Sequence, residues 1–131
     1  MPVAISTIHD GYYTVKINHE HRTFRVQTQA PGASFAPGKQ VIGFLRGSDN
    51  VADYVNFAFI DDGRLVVWKR FQQGYHLTIE AARFLVEDRS IQEAAGKVYA
   101  QASGNCYICN RLLTTPESIE AGIGPTCASR L

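Results

Sequence analysis

The chain has 131 residues, of which 45% are hydrophobic and 11% aromatic, and its formal net charge is +1 at pH 7. This length allows one globular domain, or one domain with a small appendage, and the apolar content excludes a disordered tail. The near-neutral charge shows no strong electrostatic preference for nucleic acid or for a membrane surface. Because no apolar run is long enough to span a bilayer and no secretory leader is recognisable, we expect a soluble cytoplasmic protein without a membrane partner.

Residues 1–75 alternate β-branched and aromatic segments with turn-forming residues, which predicts a β-rich sheet or barrel. A hairpin turn is expected at Asn18–His21, a polar stretch between two β-branched and aromatic segments. A second is expected at Asp61–Gly63, where Gly supplies the positive φ that the turn requires. A further turn is expected at Gly47–Asn50. The five predicted strands are Tyr12–Ile17, Arg22–Thr28, Gln40–Leu45, Tyr54–Ile60 and Arg64–Phe71.

Residues 76–103 show helical periodicity instead, and we expect two helices packed on the sheet. Thr78 is the predicted cap of the first helix, and Ser90 with Glu93 forms a predicted capping box for the second. Gly104 is expected to end the second helix. Its apolar residues recur at helical spacing and are expected to face the sheet as one stripe: Ile91, Ala94, Ala95, Val98, Tyr99 and Ala102.

All three cysteines fall within residues 104–131, as the pair Cys106-x-x-Cys109 followed by Cys127. A C-x-x-C turn directs two thiolates toward one tetrahedral centre, and a third thiolate from a distant loop can join them. The odd number of cysteines argues against a disulfide framework. We interpret this segment as a structural zinc module of the zinc-knuckle or treble-clef type. The alternatives are three free or partly buried thiols and a thiol-redox site.

Two short helices are expected to support these cysteines. The first is predicted to begin at Thr114 or Thr115 and to end at Gly122. Gly124-Pro125 then opens a final helical turn that contains Cys127. A helix N-terminus lowers the pKa of a cysteine thiol, so we expect Cys127 to ionise readily.

The sequence supplies no fourth cysteine ligand. In an arrangement of two C-x-x-C pairs that ligand would stand at position 124 or 130, and these positions hold Gly124 and Arg130. A histidine from elsewhere could complete the shell, and His76 is the first candidate because it is nearest in sequence. The other histidines are His9, His19 and His21, of which the last two belong to an expected solvated turn.

Arg64, Trp68, Lys69 and Arg70 interleave basic and aromatic side chains along the fifth predicted strand. On an oligonucleotide-binding barrel such a strand can stack bases and contact phosphates. The plainer interpretation is a strand with Val66 and Trp68 in the core and the basic side chains in water, which the low net charge favours. Nucleic acid is the leading predicted partner on this pattern.

Catalytic motifs are not found in the sequence. It has no phosphate-binding loop, nucleophile elbow or helical H-E-x-x-H, and it lacks the H-x-E element of the zinc deaminases. We therefore predict that the protein is not an enzyme. The enzymatic alternative is an open zinc position that carries water.

One stretch of the sequence follows a recognisable pattern: Cys106-Tyr-Ile-Cys-Asn-Arg-Leu-Leu-Thr114, Pro116-Glu-Ser-Ile119 and Gly122-Ile-Gly-Pro-Thr-Cys-Ala128. It resembles a small zinc-finger-like family of actinobacteria and their phages, a domain of unknown function with the pattern C-x-x-C-G-R-x-L-T-x-P-x-S…G-I-G-P-x-C. Asn110 stands where that family has glycine, and Asn also tolerates positive φ. The resemblance implies a metal site and a phage or actinobacterial origin, and it implies no activity.

The sequence thus predicts an α+β fold with three parts. These are a small five-stranded antiparallel sheet or barrel at residues 1–75, a two-helix segment at residues 76–103 and a zinc module at residues 104–131. The predicted function is that of a small zinc-containing phage-type protein that binds nucleic acid. The alternative is a protein–protein adaptor or an inhibitor of a host enzyme.

Overall fold

Five antiparallel strands follow one another across a single sheet in the chain order β1-β2-β3-β4-β5. The computed structural model describes residues 8–34, 36–47 and 52–130. The strands are β1 (Gly11–Ile17), β2 (Glu20–Thr28), β3 (Gln40–Leu45), β4 (Tyr54–Asp61) and β5 (Arg64–Val67). Among the described residues β1 and β5 do not pair with each other, so the sheet is an open half-barrel. The α+β class and the five-stranded antiparallel sheet are confirmed.

Two predicted hairpins are present, each with a two-residue turn. Asn18 and His19 have φ of 50° and 65°, and Asp62 and Gly63 have φ of 53° and 78°. Positive φ at both central residues matches the twist of the flanking strands. The first turn is shorter than expected, because Ile17 pairs directly with Glu20 and β2 begins there. The turn predicted at residues 47–50 lies mostly outside the described residues.

Alternate residues of the strands face a shared apolar core. Phe24 lies opposite Tyr13 on β1 and opposite Phe44 on β3, so large side chains line one face of the sheet. Helix α1 (His76–Glu87) covers this face with its own buried residues. The core residues of α1 are Ala81, Ala82, Leu85 and Val86.

Helix α1 begins two residues earlier than its predicted cap. Thr78 lies within the first turn of α1, where it is buried and its hydroxyl accepts a hydrogen bond from Arg22 Nε at 3.3 Å. The predicted capping role of Thr78 is therefore wrong. The Thr78 hydroxyl is instead bonded to Arg22 of β2, more than fifty residues away in sequence. The local sequence pattern around Thr78 does not encode such a contact.

The capping box predicted at Ser90 is also wrong. Residues Arg89–Ile91 form a 3₁₀ turn, and helix α2 (Gln92–Ser103) begins only after it. The Ser90 hydroxyl donates to Asp88 Oδ1 at 2.6 Å. This local bond lowers the pKa of the Asp88 carboxyl and satisfies the serine without a helix amide.

Helix α2 packs mainly on β1, but its buried face differs in part from the predicted stripe. Ala94 and Ala102 are exposed, whereas Gly96 and Ala100 are buried with the expected Ala95 and Tyr99. The face shifts because α2 contacts α3 as well as the sheet. Gly104 ends α2 as predicted, with φ of 77° and its amide bonded to Ala100 O at 2.7 Å.

The fifth strand is shorter than predicted. It ends at Val67, and Lys69–Phe71 form a 3₁₀ turn instead of continuing the strand. Leu65 is buried while Val66 is 39% exposed, so the expected inward position of Val66 is wrong. Trp68 does pack against the core, as the plainer interpretation expected.

The last segment lies on the free edge of the sheet. It contains helices α3 (Pro116–Ala121) and α4 (Pro125–Arg130). The Tyr12 amide of β1 donates to Tyr107 O at 2.6 Å, which attaches the segment to β1. None of the helices in the described ranges has the length and apolar character needed to cross a membrane.

The contact between β1 and Tyr107 predicts an intolerance to side chains at Gly11. A Cβ at Gly11 would lie 2.5 Å from Tyr107 O, which is backbone and cannot rotate away. We expect Gly11→Ala to lower the free energy of unfolding by about 1–3 kcal/mol, the usual cost of overpacking. Urea denaturation measures this change.

Gly32→Ala is the matched control, because a Cβ at Gly32 would meet no atom within 4 Å. Its unfolding midpoint should equal that of the unmodified protein. Equal midpoints for both variants would contradict the close approach of β1 and Tyr107.

Candidate metal centre

The three cysteines converge on one point in space. The Sγ atoms of Cys106, Cys109 and Cys127 all lie within 4.8 Å of one another. Cys106 and Cys127 are buried, and Cys109 is exposed. Since thiolates bind zinc at about 2.3 Å in a tetrahedral arrangement, three sulfurs this close together could hold one metal ion.

The first two thiols are positioned by a tight turn, residues 106–110, which we call the cysteine turn. The Asn110 amide donates to Cys106 O at 2.8 Å, and the Cys106 amide donates to Arg111 O at 2.8 Å. A bridge between Asn105 and Leu112 closes the base of the turn. Asn110 has φ of 63°, which confirms that Asn fits this left-handed position.

Helix α2 supports the cysteine turn through Asn110. The Asn110 Oδ1 atom accepts hydrogen bonds from the Tyr99 hydroxyl and from Asn105 Nδ2, the latter at 3.3 Å. Tyr99 is only 1% exposed, so its hydroxyl needs an acceptor within the protein. Asn110 therefore serves both as a turn residue and as the polar partner of a buried tyrosine.

The third thiol is positioned by the two short helices. Thr115 Oγ1 accepts from the Ser118 amide at 3.2 Å and caps α3, and Gly122 ends α3 with φ of 79°. Both features are as predicted. The chain then enters α4 at Pro125, and Cys127 is the third residue of that helix.

Backbone amides stabilise a thiolate at Cys106. Burial alone would raise the pKa of this thiol, but the amides of Cys109, Gly124 and Ile108 donate to it and hold the pKa below its ordinary value. The Gly124 amide lies 3.4 Å from Cys106 Sγ. Amides aimed at a sulfur are typical of a metal-binding turn because they favour the charged form.

Cys127 behaves differently from the expectation. Its burial, followed by hydrogen bonds to Cys109 and Cys106, raises the pKa of the Cys127 thiol to about 12. The expected lowering by the helix N-terminus is therefore wrong for the chain without metal. Three thiols this close cannot all ionise unless a cation offsets their mutual repulsion.

A cavity of about 280 Å³ opens on the three cysteines, and we call it the cysteine cavity. Its other lining residues are mostly hydroxyl-bearing or apolar: Thr114, Thr115, Ser118, Thr126, Leu112, Leu113, Pro125 and Gly124, together with Arg111. No imidazole or carboxylate from the described residues joins the cysteine cluster.

The four histidines lie elsewhere in the described structure. His76 is the exposed first residue of α1, and the structure does not bring it into the cysteine cluster. His19 is in the β1–β2 turn, and His21 is an exposed residue of β2. His9 precedes β1, where its Nδ1 lies 3.0 Å from Asp10 O.

The basic residues of the predicted nucleic-acid strand are exposed but do not share one strand face. Arg64 begins β5, whereas Lys69 and Arg70 belong to the following 3₁₀ turn. The Arg70 guanidinium carbon lies 4.7 Å from the centre of the Phe71 ring. Trp68 is half-buried against the core. Three cations therefore face solvent, and the indole lies against the core.

A second group of cations was missed by the sequence analysis. An open cleft of about 440 Å³, here called the cationic cleft, is lined by residues of β2, by the end of β3 with the following Arg46, and by residues around the start of α1. His21, Arg22 and Tyr75 are among them. Phe71 packs edge-on against Tyr75, with ring centres 5.4 Å apart, so Arg70 lies one ring away from this cleft. This cleft could not be found from the sequence, because its lining residues are far apart along the chain and share no sequence motif.

Comparison with known proteins identifies only the last part of the chain. Residues 97–131 match the family described as "Family of unknown function (DUF6011)". The match includes the second half of α2, the three cysteines and both short helices. No curated protein and no solved structure matches the chain.

Substitution of Asn110 tests its two roles separately. Asn110→Ala removes the acceptor of the buried Tyr99 hydroxyl and places alanine at positive φ. We expect a loss of unfolding free energy of about 1–3 kcal/mol from the unsatisfied hydroxyl, and about 1–2 kcal/mol more from the left-handed backbone. Chemical denaturation measures both.

Asn110→Gly is the matched variant, since it loses the same acceptor without the left-handed strain. It should therefore be more stable than Asn110→Ala. If the two variants unfolded at the same denaturant concentration, the left-handed backbone conformation at position 110 would not contribute to stability.

Proposed function

We propose that this chain is a small, non-enzymatic binding protein in which Cys106, Cys109 and Cys127 hold one structural zinc ion. The observation that supports zinc is the convergence of three sulfur atoms within 4.8 Å. Thiolates favour zinc among the abundant divalent cations of cells, whereas magnesium and calcium prefer oxygen ligands. The amides directed at Cys106 favour the thiolate form that the ion requires.

A structural role for the ion follows from the small size of the segment it would hold. Among the described residues, the apolar cluster beside the cysteines contains only Ala100, Cys106, Leu113 and Cys127, with Ile108 and Ile123 partly buried against it. So few side chains bury little apolar area. Zinc binding to such modules supplies about 10–16 kcal/mol, which would fix this segment on β1.

Nucleic acid is the partner that the surface charges support best. Lys69 and Arg70 are exposed, and Arg70 lies on the Phe71 ring that packs against Tyr75 of the cationic cleft. Arg46 lines this cleft together with Arg22, which also pairs with Glu20 at 3.1 Å. Phosphate contacts from such cations provide most of the affinity of sequence-independent binding. Trp68 packs against the core, so the proposal depends on phosphate contacts and not on stacking by this indole.

Exposed apolar residues favour the second candidate, a protein–protein adaptor or inhibitor of a host enzyme. Leu112 is 72% exposed at the rim of the cysteine cavity, and Ile119 of α3 is 39% exposed. Large apolar side chains in water are a common feature of protein interfaces. A discrete host protein that binds the unmodified protein but not Leu112→Ser would support this candidate.

The resemblance of the cysteine segment to proteins of actinobacteria and their phages supports a site of action in the bacterial cytoplasm. A reducing cytoplasm also keeps thiols available for zinc. Since no carboxylate or imidazole of the described residues joins the cysteines, the cluster contains no general acid or base. We therefore propose binding as its role.

The zinc proposal predicts one equivalent of zinc per chain in protein purified without added metal. Cys127→Ser should lose at least half of this zinc, because it removes one of three thiolates. Atomic absorption of the purified proteins measures the metal content. Ser90→Ala, which replaces an exposed serine bonded to Asp88, is a control that leaves the cysteine turn and the thiols unchanged. Native protein with no zinc and three titratable thiols would disprove the proposal.

The nucleic-acid proposal predicts a change in salt dependence when Lys69 and Arg70 are replaced by alanine together. For every phosphate that the variant no longer neutralises, the slope of log affinity against log salt should fall by about 0.9 for duplex DNA or about 0.7 for single strands. Unfolding free energy should change by less than about 0.5 kcal/mol, because both side chains are exposed.

Lys39→Ala with Arg83→Ala is the matched control, since it removes the same formal charge. Both side chains form exposed ion pairs, with Asp61 and Glu87 respectively. This control should retain the salt slope of the unmodified protein. If the unmodified protein bound neither DNA nor RNA at low salt, the adaptor would replace nucleic-acid binding as the function.

A further inference from the structure

The cysteine cluster has three ligands on one side and a cavity on the other. Gly124 stands three residues before Cys127, where the partner cysteine of a second C-x-x-C pair would stand. It lines the cysteine cavity together with all three cysteines. The position that would normally close the metal shell is therefore occupied by the one residue without a side chain.

Space for a ligand exists at this position. A Cβ built at Gly124 meets only Leu113 Cδ2, at 3.8 Å, which is ordinary van der Waals contact. Close packing therefore does not force glycine here. Together with the cavity of about 280 Å³, this leaves room for a whole donor group beside the sulfurs.

We propose that the zinc centre keeps its fourth coordination position open toward the cysteine cavity and takes there an imidazole that this chain does not supply. The inference rests on the proposed zinc ion and adds to it an external ligand. All four histidines of the chain lie in the described residues, and none belongs to the cysteine cluster. Four-coordinate zinc with three protein ligands accepts a further donor in the remaining position.

Charge favours a neutral donor over a carboxylate or a fourth thiolate. Zinc with three thiolates has a net charge of −1, and among the described side chains the exposed Arg111 is the one cation of the cavity lining. A fourth anionic ligand would concentrate further negative charge beside two buried cysteines. A neutral imidazole adds none.

Hydroxyl-bearing residues of the lining could accept the second N–H of a bound imidazole. A zinc-bound imidazole donates its other N–H to an oxygen acceptor, and Thr114, Ser118 and Thr126 place hydroxyl oxygens in the lining. The cavity of about 280 Å³ has room for a five-membered ring. The cavity thus suits a ring-sized donor, such as the histidine side chain of a bound protein.

Titration of the cobalt-loaded full chain with imidazole tests the proposal. Co²⁺ replaces zinc at thiolate sites, and its visible absorption reports ligand identity. We expect a saturable spectral change with one imidazole per metal ion and no loss of cobalt. In Gly124→Cys the new thiolate should close the shell and weaken the imidazole response at least tenfold.

X-ray absorption of the zinc-loaded unmodified protein gives a readout that does not depend on the Gly124→Cys variant. We expect three sulfur neighbours in both states and a nitrogen neighbour with imidazole outer-shell scattering only after addition. Replacing each histidine by alanine should leave the cobalt spectrum unchanged. Ser103→Ala serves as a control for substitution near the site.

The outcomes separate the two proposals. If neither cobalt nor zinc binds, the proposed structural zinc fails. If metal binds but imidazole changes nothing, the zinc proposal stands and the open position is wrong. A spectrum altered by His76→Ala would show that the chain supplies its own fourth ligand, and a response to 2-mercaptoethanol alone would overturn the choice of imidazole.

Discussion

The hydrogen bond from the Tyr12 amide to Tyr107 O, 2.6 Å long, joins the sheet to the cysteine turn. Tyr107 lies between Cys106 and Cys109, so this bond fixes the backbone that directs two of the three thiols. The Tyr107 amide donates to Gly122 O at 3.0 Å, which attaches the same residue to the end of α3. One residue thus connects β1, the cysteine turn and the segment leading to Cys127, and the proposed metal centre depends on these two bonds.

A layer of aromatic side chains extends this connection across the molecule. Tyr12 of β1 stacks on Tyr99 of α2 with ring centres 5.5 Å apart, and it also packs against Tyr54 of β4 at 5.8 Å. The hydroxyl of Tyr99 then donates to Asn110 in the cysteine turn. Tyr12 and Tyr99 therefore link the sheet, helix α2 and the candidate metal site. We expect a substitution at either tyrosine to alter the packing of all three.

The two surfaces with functional potential lie on different parts of the fold. The cationic cleft lies around β2, the end of β3 and the start of α1, whereas all described lining residues of the cysteine cavity belong to the last segment. The Tyr107 contact with β1 couples the cavity to the sheet. Such an arrangement would let the protein bind nucleic acid through one surface while the metal site meets a protein histidine through the other.

Local sequence rules determined the elements whose cause is local. Asp61–Gly63 forms a hairpin because both central residues of its turn accept positive φ. Helix α3 begins after Thr115 because the side chain of Thr115 caps its first turn, and it ends at Gly122 because glycine accepts the left-handed conformation there. The spacing of Cys106 and Cys109 determined that these two thiols converge, because a C-x-x-C turn leaves them few other directions, whereas the contact of Tyr107 with Gly122 and the two short helices bring Cys127 to them. Only tertiary structure decided that Thr78 bonds to Arg22, that β5 stops before Trp68 and that Arg22 and Arg46 line one cleft. Each of these three features depends on contacts between residues that are far apart along the chain. The residue pattern within a single turn or strand does not specify which distant residue will contact it in the folded protein.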